Sequence, residues 1–150
     1  MTAPGGFSSG DVLNAADMNA LPGGIIGEDE NTTNVSLTTS ATEVTAISVP
    51  VVTGRAYLIG FTCRNMAADQ SNTVIDFELN LTGGSTLTQF RKFLSNTTAR
   101  ESITMIYITN PGSSGTNEYT VDVATSTGTG TLFGGTYDLQ MWVQDLGLSA

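Results

Sequence analysis

The chain contains no histidine, one cysteine, one tryptophan and only five lysines and arginines in 150 residues. Without histidine, a Ser-His-Asp triad, a Cys-His dyad and the usual zinc sites are excluded. A single cysteine, Cys63, rules out an internal disulfide. It lies in the apolar run Tyr57 to Cys63 and reads as a small buried hydrophobe rather than a nucleophile. Arg55, Arg64, Arg91, Lys92 and Arg100 are scattered apart from one adjacent pair, against fourteen Asp and Glu, for a net charge of −9. Nucleic-acid wrapping and attachment to anionic membranes both need cations this chain lacks, so neither is expected. No apolar run approaches the ~20 residues that span a bilayer, and no basic segment with an apolar core opens the chain. There is no Walker loop or other phosphate-binding glycine motif. No cofactor and no metal site are expected.

Charge is scarce in general, at 13% of residues against about 25% in typical soluble domains. Thr, Ser, Asn and Gly fill the polar positions, and the mean hydropathy is +0.05. Four Asn-x-Ser/Thr sequons, at Asn31, Asn34, Asn80 and Asn96, are expected by chance in such a composition. The length fits one domain plus an extension.

The extension is the opening stretch, 1–24. Asn14 suits a helix N-cap, and Asp17 falls three residues on, where its carboxylate can reach a free backbone N–H. Leu13 and Met18 match the spacing of a hydrophobic staple. Pro22-Gly23-Gly24 ends the run. The spacing predicts one or two helical turns with Phe7, Val12, Leu13, Met18 and Leu21 as apolar anchors. So short a helix is marginal alone in water. It reads as a docking arm.

Phe7-Ser8-Ser9-Gly10-Asp11-Val12-Leu13-Asn14-Ala15-Ala16-Asp17-Met18-Asn19 resembles the "F-x-x-G-x-V-L-T-A-A-D-M-N" opening of many tailed-bacteriophage virion proteins, among them minor tail proteins and tail and head fibres. Asn14 stands where Thr is commoner, which keeps the capping chemistry. At the other end, Val143-Gln144-Asp145-Leu146-Gly147 is similar to the "V-x-D-hydrophobic-G" that often closes their β-domains. The resemblance implies a virion structural protein, made in the host cytoplasm, with other capsid or tail proteins as partners. It also implies a homo-oligomer, most often a trimer.

Beyond the arm, 25–33 is expected to be a linker. Its acidic knot Glu28-Asp29-Glu30 lacks the spacing of a calcium loop and reads as solvated. From 34 to 147 the pattern has period two. Ile75, Phe77, Leu79 and Leu81 share one face of a strand, and Asp76, Glu78 and Asn80 share the other. Strands are expected near 34–38, 43–49, 55–64, 73–82, 86–93, 101–109, 118–126, 130–134 and 136–145, with Leu146-Gly147-Leu148 as a short tail. Ile103 to Ile108 is apolar on both faces, which predicts a central strand or a subunit contact. Closely spaced strands without intervening helices indicate an all-β antiparallel sandwich, jelly-roll-like.

Three functions follow from this pattern. The first is a non-enzymatic virion component, displayed by its arm as a capsid decoration, head fibre or tail appendage. The second is a receptor-binding module for a host glycan. Trp142 shares a strand face with Asp138, Gln140 and Gln144, and an exposed aromatic ring beside amides suits a sugar. The third is a glycosidase built on Asp76 and Glu78, roughly 7 Å apart by strand geometry, with Asp122 and Asp138 adding to that surface. Two acids on the wet face of a strand are also what solubility alone produces.

Overall fold

The computed structural model describes residues 22–136 and 138–149. The docking-arm positions Phe7, Val12, Leu13, Asn14, Asp17, Met18 and Leu21 lie outside the described residues. Among the latter there are ten strands and no helix: β1 (Gly24–Glu30), β2 (Val35–Leu37), β3 (Thr42–Val51), β4 (Arg55–Ala68), β5 (Thr73–Leu81), β6 (Thr86–Leu94), β7 (Glu101–Thr109), β8 (Gly115–Thr125), β9 (Gly130–Leu132) and β10 (Leu139–Leu148).

The pairing is nested. β5 pairs with β6, β4 with β7, β3 with β8 and β1 with β10, every pair antiparallel. The chain is thus a hairpin of hairpins folded over into two sheets, the jelly-roll arrangement. Sheet A runs β7-β4-β10-β1, and the far end of β4 also takes β9, which pairs with β2. Sheet B runs β3-β8-β5-β6.

Strict alternation makes the core. Tyr57, Ile59, Phe61 and Cys63 of β4 and Met141 and Val143 of β10 face Ile75, Phe77 and Leu79 of β5 and Val121 and Val123 of β8, all buried. The Phe61 and Phe77 rings meet across the sheets in a tilted pair with centroids 6.1 Å apart. The two buried tyrosine hydroxyls are satisfied: Tyr57 accepts the Val52 N–H at 2.8 Å, and Tyr119 accepts from the Asn117 amide at 3.1 Å. A buried polar tip left unpaired would cost more than the ring's burial returns at that atom.

Three expectations are corrected. The expected linker is largely strand: β1 pairs with β10 from Gly24 opposite Asp145 to Glu30 opposite Gln140. A bulge between Ile25 and Gly27 shifts the register and breaks the alternation that would have marked a strand. The expected tail, Leu146 to Leu148, continues β10 against β4 through a second bulge, between Asp145 and Gly147. Finally, β7 is not central. It pairs with β4 alone and forms one edge of sheet A.

Candidate functional site

Trp142 sits on the outer face of sheet A, in the internal strand β10. Its neighbours across the ladder are Glu28 of β1 and Gly60 of β4. The indole lies directly over Gly60, where an added Cβ would fall 2.1 Å from the ring. Only glycine leaves room for it to lie there. Covering a strand glycine with an aromatic ring also restores packing that the missing side chain forfeits. Gln140 and Gln144 flank Trp142 on the same strand and the same face, each half-buried. Next to Gly60, the partner on β7 is Ile106, and next to Leu58 it is Ile108. Ile106 and Ile108 are 58% and 57% exposed. The expected group Trp142, Gln140 and Gln144 is therefore brought together on one surface, joined by aliphatic neighbours from the segment expected to be a central strand or a subunit contact. Asp138 does not join them through its backbone: it lies in the turn before β10, where its carbonyl accepts the Arg64 N–H at 2.9 Å.

The carboxylates Asp76 and Glu78 stand on the outer face of sheet B. With Asp122, Gln89, Arg91 and Ala124 they line a shallow trough. Each acid already has a structural partner. Arg91 Nε lies 2.7 Å from Asp76 Oδ1, an ion pair whose N–H is not aligned as a hydrogen bond. Gln89 donates to Glu78, and Asn80 donates to Asp122 at 2.8 Å. Asp138 lies in the turn before β10, on the other sheet, and does not add to this surface, contrary to expectation.

The acidic knot is divided by the pleat of β1. Glu28 and Glu30 are exposed, whereas Asp29 turns inward and accepts the buried Thr45 hydroxyl. Alternate faces keep the three from converging on one ion. Cys63 is fully buried and its thiol donates to the Asn65 carbonyl at 3.6 Å. Burial pushes the thiol up to about 11, and the nearby Asp138 charge adds to the rise. Such a thiol is a weak nucleophile at neutral pH.

The closing motif Val143 to Gly147 has a structural explanation that sequence alone did not reveal. Asp145 is buried and forms a bidentate pair with Arg55: Arg55 Nε lies 3.0 and 2.9 Å from its two oxygens, and a terminal guanidinium nitrogen lies 2.7 Å from Oδ2. The same carboxylate accepts the Gly147 N–H at 2.9 Å. Gly147 has φ 97°, a conformation L side chains rarely adopt. The Asp and Gly of the motif thus build the β10 bulge and fasten it to β4.

No protein-family model matches this chain, and no curated protein does. Several solved structures align with it in part. The VP2 subviral particle of infectious bursal disease virus aligns at 7% identity and TM-score 0.48, over 83% of this chain and 38% of that one. TmCBM61 in complex with β-1,4-galactotriose aligns at 14% identity and TM-score 0.42, over 73% and 67%. A CBM4 structure aligns at 12% identity and TM-score 0.41, over 84% and 98%.

Proposed function

We propose that this chain is a non-enzymatic structural component of a tailed-bacteriophage virion. Its arm, through Phe7, Val12, Leu13, Asn14, Asp17, Met18 and Leu21, seats in another capsid or tail protein. The jelly roll then stands on the particle surface as a decoration, head fibre or tail appendage. The observation that supports a surface-acting role is the outer face of sheet A. There the domain offers an apolar patch of Trp142, Leu58, Ile106 and Ile108, while its paired acids on sheet B are held by Arg91, Gln89 and Asn80. The phage assignment itself rests on the resemblance of 7–19.

The test is assembly. Leu13→Asp with Met18→Asp in the full chain places charge where the arm buries apolar surface, which is costly. The variant is expected to fold as the wild type does and to be missing from purified particles. Normal incorporation of the variant sinks the arm hypothesis.

A second reading is favoured by one observation, the Trp142 ring lying over Gly60 between Gln140 and Gln144. This is a platform on which a host-surface glycan can stack. Trp142 fluorescence titrated with oligosaccharides from the host envelope separates the two readings: saturable quenching supports the glycan module, and an unchanged spectrum removes it.

A further inference from the structure

The outer face of sheet A is not uniform. From the β7 edge to the β1 edge, one row runs Ile108, Leu58, Gln144, Ile25, the next Ile106, Gly60, Trp142, Glu28, and the third Thr104, Thr62, Gln140, Glu30. The acids are all at the β1 side. The β7 side is neutral and apolar.

The two edges of the sheet differ in the same sense. Edge strands are usually guarded by charge, proline or bulges, because their free N–H and C=O groups invite another strand. β1 has all but proline: a bulge and three carboxylates. β7 has nine residues, no proline and no charge from Ser102 to Thr109. Its ladder with β4 is regular from Tyr57 to Cys63. The outer face of sheet B is more highly charged, with Arg91 and the exposed Phe93 set among its acids. The outer face of sheet B carries Glu43, Asp76, Glu78, Glu118 and Asp122, and the whole chain has net charge −9. Copies of such a protein repel one another wherever acids face acids.

We infer that a second copy of this chain docks on β7 and the adjoining outer face of sheet A. Ile106 and Ile108 of the two copies lie at the centre of the contact, with Glu28 and Glu30 at its periphery. A symmetric contact repeats the same patch on both partners, so an axis beside β7 brings neutral surface together and holds the acids of β1 apart. Trp142, two strands from β7 and so roughly 10 Å away, falls within the footprint of an interface of ordinary size. The inference needs only the geometry of sheet A, and so stands or falls separately from the virion reading.

The experiment is the solution mass of the full chain by light scattering, together with emission from Trp142, its single tryptophan. The wild type is expected at a multiple of 15.6 kDa with blue-shifted emission. Ile106→Asp with Ile108→Asp is expected at the monomer mass with red-shifted emission and an unchanged circular-dichroism spectrum, its melt lowered only by the lost association. Should the charged pair fail to fold, Ile106→Thr with Ile108→Thr keeps strand propensity and is expected to weaken association at least tenfold. A wild type that stays at 15.6 kDa up to millimolar concentration overturns the inference. So does a folded double variant with the wild-type mass. Both outcomes are independent of whether the chain enters particles.

Discussion

Gly60 and Trp142 are a cross-strand pair in which one residue's missing side chain is the other's seat. The indole occupies the space a Cβ at position 60 would need, its nearest ring carbon only 2.1 Å from that point. Gly60→Ala should therefore lift the ring from the sheet. The expected result is a red shift of Trp142 emission and a stability loss of about 2 kcal/mol, the usual range for overpacking. An unshifted spectrum with unchanged stability would show that the ring does not rest on this backbone.

Asp145→Ala should be among the most damaging single changes. It leaves Arg55 partly buried without its carboxylate and releases the Gly147 N–H. Breaking such a pair from one side costs about 3 kcal/mol. Chemical denaturation of the variant against wild type checks the figure. A loss under about 1 kcal/mol would mean that the pair is dispensable, as exposed pairs are.

Two phenylalanines on neighbouring strands of sheet B separate core from surface. Phe77 is fully buried against Phe61, and Phe93 is 56% exposed. Phe77→Ala is expected to cost about 4 kcal/mol, and Phe93→Ala within about 0.5 kcal/mol. Thermal melts of the two variants decide it, and comparable losses would contradict the placement of β6.

Alkaline pH should weaken the fold. The Cys63 thiol ionises near its ordinary 9.0 when unfolded and near about 11 when folded, because burial disfavours the thiolate. Between those values the folded chain keeps a proton that the unfolded chain has lost, so stability is full below about pH 9 and declines as pH rises through about 11. Tyr119, whose hydroxyl is also pushed up by burial, acts in the same direction at higher pH. Urea melts from pH 8 to 11 should show the decline, with a shallower slope in Cys63→Ala.

Local alternation was enough to read most of the sandwich. Ile75, Phe77 and Leu79 against Asp76 and Glu78 specify a half-buried strand without any knowledge of its partners. The same parity put Trp142, Gln140 and Gln144 on one face, and also Asp138, which instead lies in the turn before β10. β1 escaped because its bulge at Ile25 and Gly27 interrupts the period and because three consecutive acids look solvated. The edge position of β7 depends on which strands pair across the nested hairpins, information no local window contains. The roles of Gly60 and Asp145 were illegible for the same reason: each acts through a residue more than eighty positions away, Trp142 for one and Arg55 for the other.

The β1–β10 ladder has a mechanical consequence. β1 leaves its preceding residues at Gly24, beside Asp145, and runs toward Gln140 at the opposite end of the sheet. If the domain is tethered through the residues before Gly24 and dragged at its far end, the tension runs parallel to β1. The backbone bonds to β10 are then loaded together, in shear, rather than peeled one after another. A tether in that geometry resists detachment by far more than the equilibrium stability of one edge strand suggests, because failure requires several bonds to break at once.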